Sequence, residues 1–462
     1  MVLKRRACSI LVAAALLADC GGGVSPSTVA PLQRRLAGTL PFISAARGRW
    51  KEASIHGFDY VDGAYDTYSG LIFDAAGNLY GTTQRGGESV CDYDESCGIV
   101  YELTRAASGT WTETALHAFS QCDSLGFWPR SGLIVDATGN LYGTTDEGGF
   151  GCSGVGPGTV FELSAATWSA KVLHRFVPGG HDGTSPQAAL TFDASGNLYG
   201  TTSEGGRQDN GTVFELSPQS VGEWKETILH EFVSREGSGP QSKLTFDTAG
   251  NLYGTTGFGG ADRSGCGGYG CGTAFQLKHG TSGVWSLKVL HSFGNANDGA
   301  DPTSSLTLDS AGNLFGVTSQ GGQTRSGCLP YGCGIVFELV SEKTGRWKER
   351  IIHEFGSVTD GNLPRGDLVF DKTGALYGTT VLGGLYGAGI AYRMSRQGNE
   401  WSETVLHDFG NHRDGALPYT GIILDRAQNL YGTTDDGGRY RVGKCRKSAG
   451  CGTVFEIVPA KR

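Results

Sequence analysis

Short apolar runs separated by polar turns cover most of the chain, and residues 186–232 show the pattern clearly. Four segments there have the length and alternation of strands: ALTFD (Ala189–Asp193), NLYGTT (Asn197–Thr202), GTVFEL (Gly211–Leu216) and WKETILHEF (Trp224–Phe232). Gly, Ser, Asp and Pro lie between them, and no segment keeps a 3.6-residue apolar period. The pattern predicts a meander of four short antiparallel strands, labelled A to D in order.

This four-strand unit recurs seven times. The phrase GNLYGTT, or a near-copy of it, starts at residues 77, 139, 196, 250, 312, 374 and 428. Strand D is marked by seven tryptophans, each followed six residues later by a histidine: Trp50, Trp111, Trp168, Trp224, Trp285, Trp347 and Trp401, with His56, His117, His174, His230, His291, His353 and His407. A period of 54 to 62 residues between starts suits four strands with their turns.

Radial repetition of four-stranded meanders is the architecture of a β-propeller, so we predict an all-β, seven-bladed β-propeller with four-stranded blades. The repeats begin with a lone strand D, residues 50–58, and end with strand C of the seventh unit, residues 452–458. We therefore expect 3+1 ring closure by the N-terminal strand, which removes the open sheet edges. A parallel β-solenoid is the competing fold, but its repeats are shorter and need no such phase shift.

The repeated polar residues are interpreted as structural. Alternation along strand D places Trp224, Glu226, Ile228 and His230 on one face. Because strand D is outermost in each blade, the seven histidines are spread around the rim and cannot converge on one metal ion. We expect each to be hydrogen-bonded between blades. The seven aspartates before the A–B turns are interpreted as turn caps: Asp74, Asp136, Asp193, Asp247, Asp309, Asp371 and Asp425.

The N-terminal residues are typical of an export signal. MVLKRR is basic, residues 7–18 are mostly apolar, and Cys20 is followed by a Gly/Ser-rich stretch. A bacterial lipoprotein signal has this form, but Asp19 replaces the expected small residue, so lipidation of Cys20 and simple cleavage both stay open. We predict a signal peptide at 1–20, a flexible tether at 21–49, the propeller at 50–458 and a tail at 459–462. The protein would be secreted, periplasmic or lipid-anchored at the bacterial cell surface.

The cysteine content fits an exported protein. Of twelve cysteines, ten remain when Cys8 and Cys20 are set aside, an even number that favours disulfides. Eight form close pairs: Cys91/Cys97, Cys266/Cys271, Cys328/Cys333 and Cys445/Cys451. Cys122 and Cys152 lie in loops predicted on one face, and we expect them to bond. The C-x2-C spacing of zinc sites is missing, so neither a metal site nor a cofactor is predicted.

The phrases GNLYGTT, GTVFEL and W-x5-H resemble the GloVer tandem repeat, found in proteins described as "choice-of-anchor". The resemblance covers essentially residues 50–458. It implies an extracytoplasmic repeat protein, and it brings no established activity with it. The A–B phrase also resembles NHL-type propellers, some of which are lyases or lactonases, which is an analogy at the level of the fold.

Function is expected where the sevenfold repeat breaks. The B–C loops and D–A connections open on one face and vary strongly, whereas the A–B turns are uniform. Just before each strand A, one position lies near the central opening: Tyr68, Arg130, Gln187, Gln241, Thr303, Arg365 and Tyr419. Arginine, glutamine and tyrosine around one opening suit a carbohydrate or an anionic group. A hydrated polar rim without a ligand is the alternative.

Composition and missing motifs narrow the function. A net charge of −8 argues against a nucleic-acid partner, and no G-x-S-x-G, P-loop or H-E-x-x-H motif is present. We predict a non-catalytic, monomeric propeller that binds a glycan or a protein through its disulfide-braced loop face, with membrane contact only through a lipid anchor. A hydrolase or lyase at the channel mouth is the rival, and a purely structural surface-layer component is a third option. The rival enzyme requires the off-pattern residues to converge: His181, Asp182, Asp367 and His412.

Overall fold

Seven small antiparallel sheets form the described part of the chain and confirm the predicted seven-bladed β-propeller. The computed structural model describes residues 50–59, 63, 69–87, 96–121, 124–150, 156–220, 222–261, 266–280, 283–294, 298–323, 328, 332–356, 359–411, 414–438 and 450–460. The predicted signal and tether lie outside these residues. The described chain has one 3-10 turn, Cys266–Gly268, and no helix in it has the length and apolarity to cross a membrane.

Each blade contains strands A to D in the predicted order. The A strands are Ile72–Phe73, Ile134–Val135, Thr191–Phe192, Thr245–Phe246, Thr307–Leu308, Val369–Phe370 and Ile423–Leu424. The B strands are Leu79–Thr83, Leu141–Thr145, Leu198–Thr202, Leu252–Thr256, Leu314–Thr318, Leu376–Leu382 and Leu430–Thr434. The C strands are Ile99–Arg105, Thr159–Leu163, Thr212–Pro218, Thr273–His279, Ile335–Ser341, Ile390–Gln397 and Thr453–Pro459. The D strands are Trp111–Ala118, Ala170–Arg175, Trp224–Glu231, Trp285–Ser292, Trp347–Glu354, Glu400–Asp408 and, for blade seven, Trp50–Gly57.

In blades three, five, six and seven, a short strand pair joins the D–A connection to the end of strand B or to the B–C loop that follows it. The pairs are Gly183–Thr184 with Glu204–Gly205, Gly299–Ala300 with Gln320–Gly321, Gly415–Ala416 with Asp436–Gly437, and Asn362–Pro364 with strand B of blade six. These pairs place the two kinds of variable segment on one face, as the sequence predicts. We call this face the loop face.

The N-terminal strand closes the ring as expected. Residues 50–57 pair antiparallel with residues 453–459, from Trp50 opposite Pro459 to Gly57 opposite Thr453. Just beyond this strand, the Phe58 amide donates to the Gly452 carbonyl at 3.2 Å. Blade seven therefore takes three strands from the C-terminal end of the chain and one from the N-terminal end.

The repeated phrase GNLYGTT is explained letter by letter in blade three. Gly196 has φ of 84° and closes the A–B turn, a backbone conformation that costs glycine little. The Asp193 carboxylate accepts hydrogen bonds from Asn197 Nδ2 at 2.8 Å and Tyr199 Oη at 3.3 Å. In Gly200, a Cβ would lie 2.5 Å from Cζ of Phe214, so only glycine lets strands B and C approach this closely.

Leu and Tyr of the same phrase face opposite sides of the blade. Leu198 packs with the core that its own blade shares with blade two, whereas Tyr199 packs on blade four. The Tyr199 ring centroid lies 5.1 Å from that of Phe246 and 6.2 Å from that of Trp285, both edge-on. Each blade is thus buried on both faces by its neighbours.

A β-bulge in strand D corrects the predicted alternation. Ile228 lies opposite Phe214, but the next paired residue is His230, opposite Val213, so Leu229 is an extra residue. Neighbouring residues on strand C face opposite sides, so His230 faces away from Ile228 and Glu226. The same register shift recurs in every blade. The prediction that the histidine shares a face with Trp224 was therefore wrong.

Substitution of the strand B glycine tests the close approach of strands B and C. In Gly254→Ala, the new Cβ would lie 2.7 Å from Cζ of Phe275 and 3.0 Å from Cδ2 of Leu244. We expect overpacking to lower the free energy of unfolding by about 1–3 kcal/mol in a denaturant titration. Gly70→Ala is the control, because no atom of the described residues lies within 4 Å of its Cβ. Equal stability of the two variants would contradict the packing argument.

The turn aspartates predict acid sensitivity. Burial opposes the charged form of Asp247, but hydrogen bonds from Asn251, Tyr253 and the Ala249 amide outweigh it and lower its carboxyl pKa. The pKa values of Asp136 and Asp371 are lowered in the same way. A lowered folded-state pKa gives stability that is complete above the unfolded value of 3.8 and is lost as pH falls below it. Thermal unfolding from pH 6 to pH 2.5 should show this loss, with a smaller pH dependence in Asp247→Asn.

Candidate functional site

A backbone segment held by a proline and a hydrogen bond, here called a strap, precedes six of the seven mouth residues on the loop face. In six of the seven D–A connections the mouth residue follows a proline, and the residue before that proline has φ between 56° and 66°: Trp128, Ser185, Gly239, Asp301, Leu363 and Leu417. The amide of each strap residue donates to a carbonyl that precedes strand C of the preceding blade, as from Asp301 to Cys271 at 3.0 Å. The backbone is therefore fixed where it presents the mouth side chains.

Two of the predicted mouth residues meet at one carboxylate. Arg130 Nε lies 3.5 Å from Asp146 Oδ2, and Gln187 Nε2 donates to Asp146 Oδ1 at 3.1 Å. Asp146 directly follows strand B of blade two and is buried. The structure thus joins the mouth positions of blades two and three through a residue that the sequence analysis did not single out.

The second mouth arginine has an equivalent partner. Arg365 Nη2 lies 3.4 Å from Asp301 Oδ2, which also accepts a hydrogen bond from Ser319 Oγ at 2.6 Å. Gln241 and Tyr419 are half-buried at the corresponding positions of their blades, and Tyr68 lies outside the described residues. Because each arginine is compensated by a carboxylate, this part of the mouth suits a neutral polar ligand better than an anion.

Exposed aromatic side chains on the loop face are the feature that the sequence analysis missed. The exposed large apolar residues of the described chain include Phe150, Phe258, Tyr269 and Tyr386, all in B–C loops, with Leu385 beside the last of them. Tyr269 has 72% of its surface exposed. Exposed apolar side chains gathered on one face are typical of binding surfaces. Aromatic letters next to the Gly-Gly pairs of these loops were the available signal.

Disulfides brace several B–C loops, including the loop that carries Phe258 and Tyr269. Cys266 bonds Cys271 and Cys328 bonds Cys333, with Cα–Cα distances of 5.4 Å and 5.0 Å. Cys97 and Cys451 are disulfide-bonded as well. The predicted partners Cys91 and Cys445, and the predicted pair Cys122 and Cys152, lie outside the described residues. The first disulfide closes the loop that carries Tyr269.

A second group of polar residues lies at the seams between blades. The strand D histidine faces forward past the bulge, where it meets an acidic residue of its own D–A connection and a glutamate of the next strand D. Four such trios occur in the described chain: His174/Asp182/Glu226, His291/Asp298/Glu349, His353/Asp360/Glu403 and His407/Asp414/Glu52. The histidine hydrogen bonds go to the D–A connection, at 3.1 Å from His291 to Asp298 and 2.8 Å from His407 to Asp414. The expected contact with the next blade is the longer approach to its glutamate, at 3.4 Å from His174 to Glu226.

The seam glutamates have perturbed acidity. Burial, followed by the neighbouring Asp298 charge, raises the pKa of Glu349 to about 8. Burial likewise raises the pKa of Glu226 and of Glu52 to about 7, against the opposing effect of a nearby histidine in each case. Both carboxyl groups of a trio are largely shielded from solvent, so a nearby positive charge stabilises their ionised form.

The off-pattern residues required by the enzyme hypothesis have separate partners. Asp182 belongs to a seam trio, and Asp367 Oδ1 accepts a hydrogen bond from the Ser305 amide at 2.7 Å. His181 is exposed, with Nδ1 2.8 Å from Glu231 Oε1, and it lines an open cavity of about 650 Å³. His412 lies outside the described residues. No contact joins His181, Asp182 and Asp367 through a shared partner in the described chain.

The fold and the braced loops define a seven-bladed propeller whose disulfides are typical of extracytoplasmic proteins. The chain belongs to the Gloeobacter/Verrucomicrobia repeat family, whose model matches residues 37–266, 154–330 and 324–462. This is the family that the repeated phrases resemble. None of the curated proteins compared with the chain matches it.

One solved structure that matches the chain is described as a putative oxidoreductase (glucose dehydrogenase) from Thermus thermophilus. It shares 15% identity, with a TM-score of 0.38, and the match covers 88% of this chain and 100% of that one. At this level of similarity, the likeness supports no statement about the activity of the present chain.

Removal of the shared carboxylate tests the mouth geometry. Asp146→Ala leaves Arg130 without this ion pair and Gln187 without its acceptor in a half-buried position. We expect the free energy of unfolding to fall by about 1–3 kcal/mol, measured by denaturant titration. Asp209→Asn is the comparison, because this exposed B–C loop residue accepts a hydrogen bond from the Gly205 amide, and asparagine keeps that acceptor and tolerates the φ of 55°. A smaller loss in Asp146→Ala than in this variant would contradict a structural role for the shared contact.

Proposed function

We propose that this protein is a non-catalytic extracytoplasmic propeller that binds a glycan through the exposed aromatic side chains of its loop face. The observation that carries the proposal is the position of Phe150, Phe258, Tyr269 and Tyr386 in the variable B–C loops. Rings of this kind provide large, rigid contact area at small entropic cost and pack against the C–H faces of sugars.

The mouth supports a neutral glycan rather than an anionic one. Arg130 and Arg365 point their charge at Asp146 and Asp301, so the positive charge at the mouth is compensated by carboxylates. Gln187 and Tyr419 add amide and hydroxyl groups of the kind that hydrogen-bond sugar hydroxyls. A protein ligand is the alternative occupant of the same face, and the experiment below separates the two.

The disulfides support a role for the loops as a preorganised surface. A loop fixed by the Cys266–Cys271 bond loses less conformational entropy when a ligand binds. Disulfide bonds also favour an oxidising compartment, which agrees with an export signal at 1–20. Anchoring through Cys20 would hold the propeller at the cell surface, with the tether at 21–49 between lipid and ring.

The test is a glycan array probed with residues 21–462, followed by titration of the best glycan. We expect Tyr269→Ala and Tyr386→Ala each to weaken glycan binding by about tenfold, the equivalent of ~1.4 kcal/mol for loss of one stacked ring. Val284→Ala is the matched control, since Val284 is 66% exposed but lies in a C–D turn on the opposite face.

The outcomes separate the alternatives. Equal binding by the tyrosine variants and the valine control would overturn the loop-face site. No glycan hit, combined with tyrosine-dependent capture of a purified surface protein, would replace the glycan by a protein ligand. The double variant Arg130→Ala/Arg365→Ala tests the mouth separately, because unchanged glycan affinity in it would limit the site to the loops.

A further inference from the structure

The four seam trios bring together the side chains that bind divalent transition-metal ions. We propose that each of these seams is a cation site, with one imidazole nitrogen and two carboxylates as ligands for an ion of the Zn²⁺ class. In every trio, one ligand atom from each residue lies within 4.8 Å of the other two. The sites are distinct from the loop-face ligand site and do not depend on it.

The distances between ligand atoms suit coordination. His174 Nε2 lies 3.8 Å from Asp182 Oδ2 and 3.4 Å from Glu226 Oε1. His291 Nε2 lies 3.1 Å from Asp298 Oδ2 and 4.0 Å from Glu349 Oε2. Ligands bonded to zinc at about 2.0–2.2 Å are separated from one another by roughly 3.0–3.5 Å. Small rotations of the carboxylates are therefore enough to place all three ligand atoms around one ion.

Other contacts orient the ligands toward this point. Asp298 Oδ1 accepts a hydrogen bond from the Gly299 amide at 2.7 Å, which leaves Oδ2 directed at His291. The His291 ring packs edge-on against Phe293, with ring centroids 4.6 Å apart, so Nε2 has a fixed direction. Supporting contacts of this kind are typical around metal ligands, because they fix ring orientation and carboxylate geometry.

Buried carboxylate oxygens in the trios lack a hydrogen bond. Oε1 of Glu52, Glu226 and Glu349 is inaccessible to solvent and receives no hydrogen bond within the described chain. A buried carboxyl oxygen without a hydrogen-bond partner is costly, and protein structures satisfy such atoms in most cases. A cation between the glutamate and the histidine supplies the missing positive charge in each of these seams.

A difference among the seams supports a specific role for the trio. In the seam between blades three and four, Leu287 occupies the position that the glutamate has in the trios, two residues after the strand D tryptophan. His230 Nε2 in that seam contacts Glu236 directly at 3.1 Å. One imidazole and one carboxylate are too few protein ligands for a stable zinc ion, so this seam provides a natural comparison with the four trios.

The ligand set selects the class of ion. Imidazole suits zinc and neighbouring transition metals, while carboxylates alone favour calcium and magnesium. A histidine with two carboxylates leaves the fourth position of a tetrahedral zinc ion for water. At the seam of blades six and seven, Glu52 comes from the N-terminal strand, so an ion there would also bind the closing strand to blade six.

The experiment measures zinc bound to the purified chain after dialysis against buffered zinc at pH 7.5, by elemental analysis. We expect about four ions per chain bound at the described seams. Glu349→Gln, which preserves side-chain volume, should lose one ion, and His174→Ala should lose another. His230→Ala is the matched control, since it removes a strand D histidine that lacks a second carboxylate, and it should keep the wild-type number.

Thermal unfolding provides a second measurement. Zinc should raise the Tm of the wild-type chain and of His230→Ala, and a chelator should reverse the rise. Glu349→Gln should show a smaller rise even if its Tm in chelator is unchanged. The proposal is overturned if fewer than one ion binds, or if Glu349→Gln and His230→Ala retain the same number of ions.

Discussion

Burial of both faces of every sheet is the constraint on which the rest of this structure depends. A four-stranded sheet with apolar side chains on each face is stable only between two neighbours, and a row of such sheets always has two unsatisfied ends. Joining the ends removes the problem, and Trp50–Gly57 does this by pairing with Thr453–Pro459. The Trp50 ring then packs edge-on against Tyr377 of blade six, and Trp111, Trp224, Trp285 and Trp347 pack in the same way on the strand B tyrosine of the preceding blade.

The bulge in strand D makes the two faces of each blade different. The glutamate two residues after the tryptophan faces the preceding blade, and the histidine beyond the bulge faces the next one. Without the extra residue, both side chains would face the preceding blade, and the seam trios would not form. A local irregularity of one residue thus determines which polar groups meet across blades that are otherwise held by apolar contacts.

Much of the fold was predictable because the sequence of one four-strand unit recurs seven times. Repeated phrases fixed the number of blades, and the phase shift at the ends fixed the closure. The bulge was not predictable from alternation, because Leu229 is an ordinary apolar residue with no turn signal beside it. The trios were also hidden, since Glu226 is more than fifty positions after His174 and the pairing of neighbouring strands D had to be known first. The partners of Arg130 and Arg365 required the path of the D–A straps, which sequence spacing does not give.

The difference between the two faces of a blade affects how the number of blades in such a ring can change. Each blade presents one face to the blade before it and the other face to the blade after it, so the seams are head-to-tail contacts even where their polar residues differ. A duplicated repeat inserted anywhere in the ring would find a complementary neighbour on each side without any new surface being invented. A blade added by tandem duplication can therefore pack against the blades on either side of it. The limit on ring size is geometric, set by how many wedge-shaped sheets fill a circle.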